Sequence, residues 1–176
     1  MITIRVLHRD EIEKMRQLDR TEVVRTGYRQ AGREIVSMDV EWDSAGWRDG
    51  DGEHSFGRII RFARTLLDLD GTAFGAFDGD RLVGIAVYRP DLSEGMSQLG
   101  LLHVSNGYRR QGIAARLYEE VLALAHADGV DRLYVSATPS ESAVGFYLSR
   151  GFRPTDTPDP ELLEKEPDDI HLIAEL

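Results

Sequence analysis

The run "LGLLHV" (Leu99–Val104), then a short polar turn, then an amphipathic helix, leaves this chain few architectures. Leu99–Val104 has the length and apolarity of a buried strand. From Ile113 onward, Leu117, Val121, Leu124 and Ala125 recur on one side of a helix, a stripe that needs a surface to cover it. A second strand pattern, "RLYVSA" (Arg132–Ala137), follows. Strand, helix and strand in that order form a crossover onto a sheet. The junction between the first strand and the helix carries Arg109, Arg110 and Gly112. A helix start offers unpaired amide N–H groups and the positive end of the helix dipole, so this junction can seat a phosphate.

The rest of the chain supplies the sheet. "ITIRVL" (Ile2–Leu7) alternates as a strand, and Asp10 can cap a helix over Glu11–Arg20 that places Ile12, Met15 and Leu18 on one side. Residues 21–52 are the least regular, although Arg33–Trp42 alternates like an exposed strand or hairpin arm and Asp43–His54 reads as a loop. Ser55–Leu69 returns to a helical pattern. Two apolar runs around Asp78-Gly79-Asp80 predict a hairpin, and Gln98–Val104 extends it to a third strand. After Arg132–Ala137 come a helix over Ser140–Arg150 stopped by Gly151, a proline-rich connection, and a closing strand "DIHLIAEL". The order predicts one α/β domain over residues 1–176, with a mixed sheet and helices on both faces.

Several function classes are excluded. Lys+Arg 21 against Asp+Glu 31 gives a net charge of −10, which opposes nucleic acid or an anionic membrane as the main partner. A local basic pocket for one small anion remains compatible with that balance, and a cationic second substrate would be favoured. With no cysteine there is no disulfide, thiolate metal site or cysteine nucleophile. His8, His54, His103, His126 and His171 are scattered, so no metal centre is expected. Neither G-x-x-x-x-G-K-[ST] nor G-x-G-x-x-G after a strand occurs, which sets aside P-loop nucleotide enzymes and Rossmann dehydrogenases. The N-terminus enters a strand pattern at once and no run reaches the roughly 18 apolar residues of a membrane span, so a cytoplasmic location is expected.

The motifs of residues 72–152 resemble the Gcn5-related N-acetyltransferase (GNAT) superfamily. Its central signature, Arg/Gln-x-x-Gly-x-Gly/Ala, is met by Arg109-Arg110-Gln111-Gly112-Ile113-Ala114, flanked by Val104 and Tyr108. Its second signature, an Asn-x-x-Ala helix ending in Tyr and then Gly-Phe, is met by Ser140, Ala143, Tyr147, Gly151 and Phe152, with Ser140 standing in for the asparagine. The resemblance implies a mostly antiparallel central sheet with a splayed strand pair, Leu99–Val104 and Arg132–Ala137. It also implies acetyl-CoA as cosubstrate, and residues 21–52 as a variable segment on the acceptor side. The pantetheine arm would bond to the main chain of Leu102, His103 and Val104. The pyrophosphate would meet the amides of Arg109 to Ala114, where Gly112 lets the backbone approach closely. A bulge near Val104 would direct an N–H at the thioester carbonyl.

An N-acetyltransferase acting on a primary amine of a small molecule or peptide needs two proton transfers. Ser140, Ala143 and Tyr147 share one helix face, and a phenol near the sulfur can protonate the leaving thiolate, so Tyr147 is the expected general acid. The proton acceptor is open between His103 and Glu22, with Glu41 and Glu94 as further carboxylates. Trp42, Trp47 and the acids Asp39, Glu41, Asp43, Asp49, Asp51 and Glu53 stand in the acceptor-side segment. The alternative is an acyl-CoA sensor of the same fold without turnover. Dimers are common in the family, so a homodimer is a further expectation.

Overall fold

The computed structural model describes residues 1–176. Strand β1 (Ile2–Val6) leads into a 3₁₀ helix over Arg9–Gln17. The apolar residues Ile12 and Met15, fully buried, and Leu18, 3% exposed, are spaced by three. That period matches the three residues per turn of a 3₁₀ helix, and the helix expected over Glu11–Arg20 takes this form between Arg9 and Gln17. Its cap also differs from the expectation. His8, not Asp10, occupies the N-cap, and the Glu11 carboxylate accepts from the His8 amide at 3.3 Å while Arg5 holds it at 2.7 Å.

Residues 22–44 form a hairpin of β2 (Glu22–Ala31) and β3 (Glu34–Ser44), a two-stranded sheet separate from the main one. The exposed arm expected at Arg33–Trp42 is thus β3, and its partner is a strand that the sequence pattern did not reveal. Gln30 fastens the hairpin to the body: its amide donates to the Thr155 carbonyl at 2.8 Å and accepts from the His171 amide at 2.8 Å. Helix α1 (Phe56–Asp68) follows, capped by Ser55, whose hydroxyl accepts from the Arg58 amide.

The expected meander forms as β4 (Thr72–Asp78), β5 (Arg81–Ser93) and β6 (Met96–Val104). Asp78 pairs with Arg81, so Gly79-Asp80 is the two-residue turn. Helix α2 (Ile113–Ala127), strand β7 (Arg132–Ala137) and helix α3 (Glu141–Leu148) come next. The proline-rich connection holds two elements that the sequence concealed, β8 (Arg153–Pro154) and α4 (Pro160–Lys165), before β9 (Ile170–Glu175) closes the sheet.

The seven-stranded sheet has the order β1-β4-β5-β6-β7-β9-β8. Every neighbouring pair is antiparallel except β6 with β7. Its two faces bury two cores. Ile113, Leu117 and Val121 of α2, with Val144 of α3, pack on Val83, Ala86, Val104 and Val135. Ile12 and Met15, with Ile60 and Leu66 of α1, pack on Leu82, Ile85 and Val87. Burial on both faces explains why β5 reads as an almost unbroken apolar run.

Candidate active site

Strands β6 and β7 pair over only three positions, from Met96 opposite Arg132 to Gln98 opposite Tyr134. Beyond them the strands part, which bears out the splayed pair expected from the sequence. The bulge is not at Val104. Tyr88 faces Leu99 and Val87 faces Leu101, so the extra residue is Gly100. A β-carbon at Gly100 would lie 2.7 Å from the Leu66 side chain of α1, so this position takes the residue without one.

The Ser105 amide donates to the Val83 carbonyl at 2.9 Å, toward β5. By strand alternation the main-chain groups of Leu102 and Val104 therefore point the other way, into the gap that β7 has left. They are donors and acceptors of a sheet without a neighbouring strand.

The turn after β6 continues this line. Gly112 is the N-cap of α2 and adopts φ +76°, and Arg110 also has positive φ, +59°. No atom of the chain lies within 4 Å of where a Gly112 β-carbon would sit, so glycine is needed there for the backbone conformation and not for packing. The amides from Arg109 through Ala115 have no acceptor within the chain. They form a continuous set of free donors at the positive end of a 15-residue helix, which fits a pyrophosphate.

The side chain of Arg109 turns inward. Its Nε donates to the Val104 carbonyl at 3.1 Å, and its guanidinium lies 3.5 Å from the Glu22 carboxylate. Arg110, Gln111 and Gly112 stay exposed, whereas Ile113 is buried beneath α2 and Ala114 half-buried. The turn is bolted to the chain ahead of β2: the Asn106 amide donates to the Asp19 carbonyl at 2.9 Å, and the Asp19 amide to Ser105 Oγ at 3.0 Å.

Ser140 caps α3, its hydroxyl accepting from the Ala143 amide at 3.4 Å and lying 3.2 Å from the Ser142 hydroxyl. Seven residues on, Tyr147 is 7% exposed and its ring sits 5.3 Å from both Phe146 and Phe152. Its hydroxyl finds no hydrogen-bond partner in the chain. Burial, reinforced by Tyr118 and Asp169, raises its pKa above the ordinary tyrosine value, so the phenol keeps its proton. Tyr147, Val104 and Ile113 belong to the same core cluster, which brings the two signatures together.

The two expected proton acceptors fare less well. His103 lies on the sheet face opposite Val104, as alternation predicts, and its ring is 5.0 Å from Trp47. Burial, with the Arg109 and Arg20 guanidiniums, depresses its pKa to about 3, and its Nε2 lies 3.4 Å from the Asp19 carbonyl. An imidazole so reluctant to take a proton is a poor base. Glu22 is held against Arg109. Glu41 is an exposed hairpin residue, and Glu94 sits at the β5–β6 turn, the end of β6 away from Gly112. Of the acids Asp39 to Glu53, Asp49 meets Arg16 at 3.4 Å and Asp51 meets Arg61 at 2.6 Å. No group of metal-ligating side chains forms.

Sequence reasoning missed three partly buried ionisable groups. Arg20 is half-buried over Trp47, 5.7 Å from the ring centroid, and its only hydrogen bond is a long one of 3.4 Å to Ser44 Oγ. Asp169 and Glu166 lie between α4 and β9, both half-buried, and burial raises the pKa of each carboxyl. Only "EPDDI" before an alternating strand marks them in the sequence, and that pattern is ordinary surface.

Comparison with known proteins agrees with this geometry. The chain is 30% identical over 117 residues to N-alpha-acetyltransferase 50 of Danio rerio, covering 64% of this chain and 70% of that protein. It is 32% identical to the amino-acid acetyltransferase of Ralstonia nicotianae, over 54% of this chain but only 21% of that protein. Among solved structures, nourseothricin acetyltransferase superposes with a TM-score of 0.71 at 16% identity, covering 99% of this chain and 98% of that one. A candidate streptothricin acetyltransferase of Bacillus anthracis str. Ames, crystallised with acetyl coenzyme A, gives a TM-score of 0.72 at 14% identity, covering 100% and 99%. No helix is long and apolar enough to cross a membrane. The pattern of one family matches residues 37–152 and takes in the parted strands, the glycine turn and the tyrosine helix, so the chain belongs to the acetyltransferase (GNAT) family, which uses acetyl-CoA.

Proposed function

We propose that the protein moves the acetyl group of acetyl-CoA to a primary amine of a small molecule or peptide, with both substrates bound together. One observation carries this reading: the free main-chain donors that run from Leu102 and Val104 to the Arg109–Ala115 turn, next to a core cluster that holds Tyr147, whose hydroxyl bonds to no group of the chain. Such a line suits an extended ligand with a peptide-like arm and an anionic end. The names of the zebrafish and Ralstonia relatives, an N-alpha-acetyltransferase and an amino-acid acetyltransferase, favour an amine acceptor.

The coenzyme supplies an acyl group activated as a thioester. The chain's own part is to place and polarise. The Arg109–Ala115 amides hold the pyrophosphate, and the groups of Leu102 and Val104 hold the arm as an added strand. An N–H of β6 in the gap can stabilise negative charge on the carbonyl oxygen during attack, a donor already oriented and shielded from water. Tyr147, kept protonated by burial, gives its proton to the departing sulfur. Arg109 must release the Val104 carbonyl when the arm binds there. The turn is locked to Asp19, so this exchange moves a side chain and leaves the donors in place.

The test has two stages. Calorimetry with acetyl-CoA and with free coenzyme A should show binding of both. Thiol release should then appear with some member of a panel of peptide N-termini, free amino acids and polyamines. Binding without turnover on any amine would turn the reading toward an acyl-CoA sensor, and absence of binding would end both.

A further inference from the structure

We propose that Glu22 is the carboxylate that receives the ammonium of the acceptor, and that Arg109 keeps it closed until the coenzyme is bound. This rests on the reading of the site as an N-acetyltransferase.

The placement follows from the course of β2. Just ahead of it the chain is fixed to the end of β6. The Asp19 carbonyl accepts from the Asn106 amide at 2.9 Å, and Thr21 Oγ1 accepts from the Asn106 side chain at 3.1 Å. Farther on, the Tyr28 amide donates to the Pro139 carbonyl at 3.1 Å, and Gly27 bridges Ser140, the cap of the tyrosine helix. Gln30 then reaches His171 at the start of β9 and Thr155 just past β8. Strand β2 thus crosses the ends of β6, β7, β9 and β8 in their order in the sheet. Its first stretch, from Glu22 to Gly27, spans the mouth where β6 and β7 have parted. Glu22 is the one acidic side chain of that stretch, and it is half-buried.

A single guanidinium joins Glu22 to the gap. Arg109 Nε donates to the Val104 carbonyl at 3.1 Å, and a terminal nitrogen lies 3.5 Å from the Glu22 carboxylate. The Val104 carbonyl points into the gap, so Glu22 stands one guanidinium away from the line that the coenzyme arm follows. Neither partner is satisfied there. Arg109 has five N–H donors, and only Nε makes a hydrogen bond. The Glu22 carboxylate accepts no hydrogen bond from the chain, and both side chains are 25% exposed. A partly exposed pair in such a geometry is weak and exchanges readily. Arg20 does not stand in for Arg109: its guanidinium rests over Trp47 and its hydrogen bond goes to Ser44 Oγ.

Coenzyme binding breaks both contacts of Arg109. The arm takes the Val104 carbonyl, and the pyrophosphate seats on amides that begin at Arg109 itself. A guanidinium bonds phosphate oxygens through paired, charge-assisted hydrogen bonds, which its 3.5 Å contact with Glu22 lacks. Arg109 swings to the phosphate, and Glu22 is left at the mouth without its cation. A primary ammonium restores the charge that Arg109 removed and brings three donors to a carboxylate with free acceptor sites. Amine binding is thereby coupled to coenzyme binding, and the coupling is reciprocal. Glu22 binds and orients the ammonium; it is not the base.

The test reads the arginine, the amine and the rate. A structure with free coenzyme A bound should show the Arg109 guanidinium on phosphate oxygens, off both Val104 and Glu22. By calorimetry, the amine that the panel selects should bind the wild type about tenfold more tightly with coenzyme A present than absent, within the usual range of such coupling. Arg109→Gln should bind the amine almost equally in both conditions, because the carboxylate is open from the start. Glu22→Gln should raise KM for the amine about tenfold or more while kcat stays within about threefold, the split of a lost binding contact. It should still bind coenzyme A, and Glu22→Asp should recover part of the amine affinity. An Arg109 still against Glu22 in the complex, or a wild type with equal amine affinity with and without coenzyme A, would overturn the proposal. So would a Glu22→Gln variant whose KM stays within about twofold of the wild type. Failure of the wild type to bind coenzyme A, or a panel in which no amine releases thiol, would instead strike the acetyltransferase reading itself.

Discussion

The two sides of the parted strands are built on different principles. On the coenzyme side the main chain does the work: free amides after β6, a left-handed glycine at the head of α2, and strand groups of Leu102 and Val104 that no neighbouring strand covers. On the other side the partly buried ionisable and aromatic side chains come from distant places, namely Arg20 before β2, Trp47 after β3, and Glu166 and Asp169 before β9. Main-chain donors are the same for any sequence that adopts the turn, so this half tolerates variation and leaves a short motif. Side-chain sites depend on residue identity at positions far apart, so that half can be retuned to a new acceptor and leaves no motif.

The largest effect expected from breaking this contrast comes at Tyr147, the side chain proposed above as the general acid. Tyr147→Phe should reduce kcat by about 10²–10⁴-fold with little change in coenzyme binding. The packing of its ring against Phe146 and Phe152 is preserved in that variant, and a loss below threefold would remove Tyr147 as the acid.

Next is the main chain itself. Gly112→Val puts a β-branched residue at φ +76°, a strain of about 1–2 kcal/mol. Coenzyme affinity should fall roughly tenfold. A β-carbon there meets nothing in the free protein, so an unchanged dissociation constant by calorimetry would mean that the turn is no phosphate seat.

A smaller effect concerns stability. The folded state raises the Asp169 pKa from 3.8 to about 7, so ionised Asp169 is disfavoured in the fold relative to the unfolded chain. That penalty is absent at pH values below about 4, grows as pH rises through the interval, and is complete above about 7. Asp169→Asn should therefore raise Tm at pH 8 and leave it nearly unchanged at pH 4 in thermal melts. Equal effects at both values would show that the carboxyl is not penalised.

The smallest effect is expected at His103. With a pKa depressed to about 3 it stays neutral across the working range, so His103→Gln should alter kcat by less than about threefold, small beside the 10²-fold scale of acid–base groups, and leave the pH profile in place. A lost acidic limb in that variant would return the histidine to the role of base.

Legibility in the sequence followed the same divide. The βα junction, the Gly79-Asp80 hairpin and the bounds of β7 could be read because each rests on neighbouring residues: an apolar period, a turn glycine, a cap. The first helix was legible from its apolar spacing, but its cap and bounds were not, because its N-cap is His8 and not the Asp10 that the sequence offered. Strand β2 was hidden because it leans on the body through few contacts, such as the Gln30 amide, and carries little apolar alternation. The bulge expected near Val104 lies four residues earlier, at Gly100, where the neighbour that demands a missing side chain is Leu66, 34 positions earlier in the chain. Asp169 gave no signal, since its burial and the charges around it come from α3, α4 and the segment ahead of β2.

What the sequence determined by itself was the donor line: Gly112 permits a backbone that other residues resist, and the helix after it aims the amides, whatever surrounds them. Only the tertiary structure decided which ionisable groups keep, lose or share their protons. A pKa depends on solvent exclusion and on charges within a few ångströms, and the fold assembles those from parts of the chain that the sequence keeps apart.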